Sequence, residues 1–239
     1  MGTLSGGIKI NTAKPTKELS GEIGTTIGSH GYVKGFASIS GGNDVIQASL
    51  TYSNEKSDQY EDGEGNTLAQ QLDNAQNPAL YNTGNDLRYS DKYKDMKAYE
   101  KESVMAKIHV NLTENQELDF SATRNRSDDI LYPSSGMDAL YDDSNLYNLK
   151  YTAKDLASFS KKLQIQAYKN DVDHPMSIDY RIKNDVLAAS PNPMMNAMVG
   201  MTNHLTTDTK GLKIQNEFDA LGRTFNIGVD TSKRNLLNL

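Results

Sequence analysis

Apolar and polar side chains alternate residue by residue along most of this 239-residue chain. The clearest example is 102–112, in which every second residue from Val104 to Leu112 is aliphatic or Ala. Successive side chains of a β-strand point to opposite faces, so a period of two predicts strands with one apolar and one polar face. Nine strands are predicted, near residues 20–28, 32–41, 45–52, 102–112, 118–123, 147–153, 163–168, 212–218 and 225–229.

The connections between these strands fall into two length classes. Short turns are predicted near 41–44, 113–116, 154–158 and 219–223, and long polar segments near 55–95, 132–145 and 176–207. In a meander every second connection lies at the same end of the sheet, so the short turns share one end and the long loops the other. This asymmetry, with apolar-out and polar-in strands, is typical of a transmembrane β-barrel. The predicted fold is therefore all-β: an antiparallel, up-and-down transmembrane barrel.

A soluble antiparallel sandwich is the alternative fold, because its strands also alternate. The hairpin arms around 97–131 and 146–176 favour the barrel, since they exceed the usual strand length of about five or six residues. A membrane-spanning helix needs about 20 mostly apolar residues, and no apolar run here is longer than about five. The hydrophobic content of 36% suits a sheet with a polar lining.

Several function classes are disfavoured by composition and motifs. The net charge of −6 argues against binding to nucleic acid, which requires basic patches. The absence of Cys excludes disulfides and thiol catalysis. No Gly-x-Ser-x-Gly, His-Glu-x-x-His or phosphate-binding glycine loop is present. We therefore expect that the protein is not an enzyme, and we interpret His30 and His109 as solvated residues or residues facing the inside of a barrel.

Four segments near the N-terminus, in this order and spacing, carry a family resemblance: 2–12 (GTLSGGIKINT), 21–32, 35–42 (GFASISGG) and 50–58 (LTYSNEKSD). The first resembles the last plug strand of TonB-dependent outer-membrane receptors. The other three resemble the first hairpin and the third strand of the barrel in that family.

The resemblance implies a domain organisation, a location and partners. A full member has an N-terminal plug, which contacts the TonB energy-coupling complex, followed by a 22-stranded barrel in the outer membrane of a Gram-negative bacterium. By this comparison, residues 1–17 are the end of the plug with its lead-in, and 18–239 are a partial barrel of about nine strands. The chain is then expected to be a fragment whose partners are TonB, outer-membrane lipid and a transported ligand.

A candidate metal pair lies at the end of the seventh predicted strand. Leu163, Ile165 and Ala167 set its lipid-facing alternation, so His174 and Met176 fall on the opposite face, near the outer rim. Residues i and i+2 of a strand are about 6–7 Å apart, close enough to share one ion. Imidazole with thioether favours copper, particularly Cu(I). The alternative interpretation is that both are ordinary rim residues beside a strand-ending proline.

The His-x-Met pattern is similar to that of TonB-dependent copper receptors. In that branch, the resemblance implies, a Cys-x-x-x-Met of the plug completes the site, and that half is not in this sequence. The resemblance therefore predicts copper as the transported ligand. The competing hypotheses are a receptor of the same family for a ferric siderophore or another nutrient and, in another class, a surface adhesin or structural β-sandwich protein.

A methionine cluster follows in the same predicted loop and comprises Met194, Met195, Met198 and Met201. A helical turn after Pro193 would bring the sulfurs of Met194, Met198 and Met201 to one side, because residues three and four apart are neighbours on a helix. Such a stripe could pass cuprous ions to His174 and Met176. Alternatively, the methionines fill gaps and pack the loop against its neighbours.

Overall fold

The computed structural model describes residues 12–157 and 159–238 and consists of one large antiparallel sheet. Its strands are β1 (Ser20–Ile27), β2 (Val33–Gly42), β3 (Ile46–Ser57), β4 (Tyr99–Thr113), β5 (Gln116–Ile130), β6 (Asp138–Tyr141), β7 (Asp143–Ala157), β8 (Ser160–Ser177), β9 (Thr202–Ala220) and β10 (Arg223–Asn238). Three helices, α1 (Leu68–Ala75), α2 (Ile182–Ala188) and α3 (Pro193–Asn196), and a 3-10 turn (Pro78–Leu80) lie in the connections. The up-and-down β-barrel fold class is confirmed.

Each strand pairs with its neighbour in sequence, as expected of a meander. The one exception is β6, a four-residue strand that joins β5 to β8 beyond the end of β7, which itself pairs with both. This short strand lies inside a segment predicted as loop. Several strands also run further than predicted: β3 continues to Ser57, and β9 begins at Thr202.

The two faces of the sheet differ in polarity as the alternation predicts. Large apolar side chains such as Ile23, Leu50 and Ile214 are exposed on the face that we call the apolar face. Residues directly opposite each other on paired strands lie on the same face. Leu149 pairs with Ala167, and Ala167 pairs with Leu212, so all three lie on the apolar face. We call the opposite side, which carries Gln164 and Gln166, the polar face. These aliphatic side chains lie on the surface of one sheet and do not meet in a sandwich core.

The segment that precedes β1 lies against the polar face, near the short turns. Lys107 donates a hydrogen bond of 2.6 Å from Nζ to the carbonyl of Ala13, and Lys14 Nζ lies 3.1 Å from a carboxylate oxygen of Glu117. Residues 1–11, which include nearly all of the first segment of the family resemblance, lie outside the described residues.

The connections obey the predicted asymmetry. At one end, β9 and β10 are joined by two residues, Leu221 and Gly222, whose φ angles of 52° and 69° are those of a tight hairpin turn. At the other end lie three long loops, 58–98, 131–142 and 178–201. Among the described residues, no helix in these connections combines the length and apolar character needed to cross a membrane.

The three long loops pack on one another around a small apolar core. Its buried members come from all three loops: Leu68, Ala69, Tyr89, Leu131 and Tyr180. Helix α1 is fixed at its start by a capping box, in which Thr67 and Gln70 satisfy each other's backbone N–H groups. The long loops are therefore a folded layer at one end of the sheet.

Candidate functional site

His174 and Met176 lie on the polar face, close to the long loops. Strand β8 pairs with β9 without a register shift from Lys162 to Ser177, so the alternation set by Gln164 and Gln166 continues to its end. Met176 pairs with Ala139 of β6 on one side and with Asn203 of β9 on the other. The imidazole and the thioether thus share one side of the sheet.

The imidazole of His174 is held by two neighbours from the loop 131–142. Its ring packs edge-on against Tyr132, with ring centroids 6.2 Å apart and planes at 81°. Its Nδ1 lies 3.7 Å from Oδ2 of Asp142. The side chain is 19% exposed, so the imidazole is partly accessible.

A helical turn follows Pro193, as the spacing predicts, but α3 ends at Asn196, so Met198 and Met201 lie beyond the helix and the predicted alignment of their sulfurs stays a prediction. Asn192 caps α3 by accepting a hydrogen bond from the backbone of Met194, and the turn continues as Met198 N–H donates to the carbonyl of Met195. Met194 is 76% exposed, and Met198 and Met201 are also exposed. Met195 differs, because it is half-buried and its sulfur lies 3.5 Å from the Ser190 hydroxyl. Three of the four thioethers are therefore accessible, and one packs inside the loop.

Met201 directly precedes β9, the strand that pairs with β8, on which His174 lies. It stands two residues before Asn203, the partner of Met176, and its carbonyl accepts a hydrogen bond from the N–H of Ile178. In the described part of the chain no cluster of three or more His, Asp or Glu residues is arranged to hold a metal. A metal site here would accordingly depend on His174 together with thioethers.

A buried ion pair that was not predicted from the sequence fixes the loops near this site. Arg181 and Asp138 are both fully buried and form a bidentate pair, with Nη2 and Oδ1 2.7 Å apart. Arg181 also donates to the carbonyls of Leu87 and Tyr132. One guanidinium thereby joins all three long loops, including the segment that packs Tyr132 against His174. No periodic signal marks Arg181 or Asp138, because both lie outside alternating stretches.

Tyr89 completes this centre by donating a hydrogen bond of 2.7 Å from its hydroxyl to Asp138. Burial raises the pKa of the Tyr89 hydroxyl, so the group stays protonated and remains a donor. The carboxylate of Asp138 also accepts from the backbone N–H of Tyr132. Its charge is therefore compensated by hydrogen bonds as well as by Arg181, as a buried carboxylate requires.

A second unpredicted cluster lies on the polar face near the short turns. His109 is nearly buried, with its Nδ1 2.7 Å from Oδ1 of Asp119, and Lys150 lies 3.0 Å from the other carboxylate oxygen. His109 therefore faces the polar side, as the alternation indicates, but it is enclosed by neighbouring side chains. This cluster lies beside the lead-in segment and far along the strands from His174.

No protein-family profile matches the sequence, and no curated protein is significantly similar to it. Solved structures do share the fold. The copper transporter OprC superposes with a TM-score of 0.68 at 18% identity, over 94% of this chain and 30% of that one. The FrpB iron transporter from Neisseria meningitidis superposes with a TM-score of 0.64 at 20% identity, over 93% of this chain and 30% of its own. The chain therefore has the fold of part of these transporters and spans about a third of their length.

Proposed function

We propose that this chain is part of a TonB-dependent outer-membrane transporter that captures copper and imports it with energy from the TonB complex. The carrying observation is the uninterrupted register of β8, which leaves His174 and Met176 on one polar side beneath a loop with exposed methionines. The shared fold with two metal transporters supports the transporter assignment. The apolar face supports a position in lipid.

The chemistry of the site favours a soft ion. Imidazole and thioether together bind Cu(I) better than they bind hard cations such as Ca²⁺ or Mg²⁺. The residues that would hold the ion are His174 and Met176, and Met201 lies where it could join them. Met194 and Met198 would collect ions on the exposed turn, while the packing of Met195 gives it a structural role in the loop.

A methionine substitution in the intact protein tests the copper proposal. Met176→Leu removes a soft ligand but keeps a similar volume. We expect it to weaken retention of cuprous ion by at least the roughly tenfold to hundredfold that loss of an outer-shell partner costs a metal site. Titration with Cu(I) against a competing chelator measures the change.

The matched control is Met105→Leu, because Met105 also lies on the polar face but on β4, where it pairs with Thr51 and Thr123. This variant should bind Cu(I) like the parent protein. Equal affinities of the two variants would remove the case for a dedicated site at His174.

A receptor for iron or a ferric siderophore is the second candidate, because the FrpB iron transporter matches the fold nearly as well as OprC. The same titration, repeated with ferric siderophores, distinguishes the two. Binding of a ferric complex without binding of Cu(I) would favour this candidate.

A further inference from the structure

A cleft in the loop layer lies between the segment 82–92 and helix α2. Its volume is about 760 Å³, within the roughly 300–1,000 Å³ that small-molecule sites occupy. One wall consists of Ile182, Val186 and Ala189. These residues are three or four positions apart, so they lie on one side of α2 and its C-terminal cap. The cleft therefore has an apolar side against which a hydrocarbon group can pack.

A lysine and an aspartate form the charged rim of this cleft. Lys92 Nζ lies 3.8 Å from Oδ1 of Asp185, which is too far for a hydrogen bond, and the two side chains are 60% and 48% exposed. The ammonium and the carboxylate are therefore adjacent, yet each keeps its hydrogen-bonding capacity for another molecule. A ligand complementary to this rim carries one negative and one positive group side by side.

Two further donors line the cleft and are less exposed than Lys92. Asp86 accepts hydrogen bonds from Nε and Nη2 of Arg88, and the guanidinium carbon lies 3.6 Å from the ring centroid of Tyr81. Within the described part of the chain, Nη1 of Arg88 has no acceptor. The buried hydroxyl of Ser90 has no hydrogen-bond partner there either. A buried hydroxyl without a hydrogen bond costs free energy, and a ligand oxygen bonded to it would remove that cost.

We propose that this cleft binds a free α-amino acid with an apolar side chain. The carboxylate of the ligand accepts hydrogen bonds from Lys92 and Arg88, and its ammonium group donates to Asp185. Its side chain packs on Ile182 and Val186. This inference goes beyond the proposed function and does not depend on the transported ion.

The spacing of the charges favours a single amino acid over a peptide. An α-amino acid carries both charged groups on one carbon, which matches the adjacent charges of Lys92 and Asp185. The termini of a peptide are farther apart, because each extended residue adds about 3.3–3.6 Å. The overall charge also fits, since Arg88 is paired with Asp86 just as Lys92 is with Asp185. A ligand without net charge is therefore better matched to the cleft than a polyanion.

Calorimetric titration of the intact protein in detergent with L-leucine tests the inference. Two analogues each lack one charge: 4-methylpentanoate has no ammonium group, and 3-methylbutylamine has no carboxylate. Leucine should bind the parent protein at least about tenfold more tightly than either analogue, because each analogue loses one charge-assisted contact. Since leucine would join the two loops, it should also slow hydrogen–deuterium exchange of the amides of 82–92 and 182–189.

Two variants assign the charged groups of the ligand to their partners. Lys92→Gln should weaken leucine binding about tenfold without weakening the binding of 3-methylbutylamine. Asp185→Asn should weaken leucine binding about tenfold without weakening the binding of 4-methylpentanoate. The matched control Lys161→Gln/Asp219→Asn removes an exposed ion pair near the short turns and should bind leucine as the parent protein does.

Equal affinity of the parent protein for leucine and both analogues, or parent-like binding of leucine by Lys92→Gln and Asp185→Asn, would overturn the inference. Titration with Cu(I) keeps this result separate from the proposed function. Because the copper proposal uses neither Lys92 nor Asp185, both variants should bind Cu(I) as the parent protein does. A protein that binds Cu(I) but not leucine would refute the amino-acid site alone.

Discussion

The buried pair of Arg181 and Asp138 gives the sharpest prediction about stability. Arg181→Met removes the guanidinium but keeps a long side chain, which leaves the carboxylate of Asp138 buried with only the neutral donors Tyr89 and Tyr132 N–H. Removal of one partner from a buried ion pair costs about 3–5 kcal/mol. Since the pair joins all three long loops, this cost should fall on the loop layer, while the sheet stays folded.

Hydrogen–deuterium exchange of the intact protein measures that cost locally. At 1.4 kcal/mol per factor of ten, 3–5 kcal/mol corresponds to a loss of protection of roughly a hundredfold to several thousandfold for the amides of 58–98, 131–142 and 178–201. The amides of β4 and β5 should keep their protection. Arg126→Met is the matched control, because Arg126 pairs with Asp143 where both side chains are partly exposed, and such pairs contribute about 1 kcal/mol or less.

The double variant Arg181→Met/Asp138→Leu separates two possible origins of the lost protection: the uncompensated charge of Asp138 and the loss of the contacts that the guanidinium makes. If the cost comes from an uncompensated charge, then removal of both charges should restore part of the protection that Arg181→Met loses. Protection in Arg181→Met that equals protection in Arg126→Met would refute the reasoning, because the guanidinium would then not hold the loops together.

Two further predictions concern a loop carboxylate and a tight turn. Burial would raise the pKa of the fully buried Asp86, but hydrogen bonds from Arg88 and from the Asn82 backbone hold that pKa below its usual value. The contribution of Asp86 to loop stability is therefore present above the unfolded pKa of about 3.9 and is lost as the pH falls through the lower folded pKa. Hydrogen–deuterium exchange of the amides of 58–98 should rise in that acidic range, and Asp86→Asn should flatten the rise. Parallel pH profiles of exchange for the parent protein and the variant would exclude Asp86 as the cause. At Gly42, an added Cβ would clash with the Ile46 carbonyl oxygen and lie 2.6 Å from Gln47 Cα, so Gly42→Ala should destabilise the β2–β3 turn by about 1–3 kcal/mol. Gly63→Ala meets nothing within 4 Å and is the control, and a heat-modifiable mobility assay with urea should show an earlier transition for Gly42→Ala only; coincident curves would contradict the clash.

The strands were predictable where the positions on the two faces of the sheet differ in chemistry. On β8, the alternation of 163–168 continues to His174 and Met176 because no register shift interrupts the pairing. The facing of that pair could therefore be deduced from sequence alone. The prediction lost accuracy where strands extend past the aliphatic surface: the start of β9, Thr202 to Thr207, is mostly polar on both faces, so it was assigned to a loop.

The loop layer could not be predicted, for a different physical reason. Arg181 and Asp138 are 43 positions apart, and they meet only because separate loops fold onto one another. A contact of this kind leaves no periodicity in the sequence. Strand β6, with four residues and partners on both β5 and β8, is likewise too short to produce a recognisable pattern.

The joining of three loops through a single guanidinium restricts how this surface can change in evolution. Arg181, Asp138 and Tyr89 depend on one another for charge and hydrogen bonding, so replacement of one without the others leaves a buried polar group without its partner. Met194 and Met198 are exposed, so replacing either of them leaves no buried polar group without a partner. We therefore expect variation among descendants of this sequence to accumulate on the turn that carries Met194 and Met198, while Arg181, Asp138 and Tyr89 are kept or lost together.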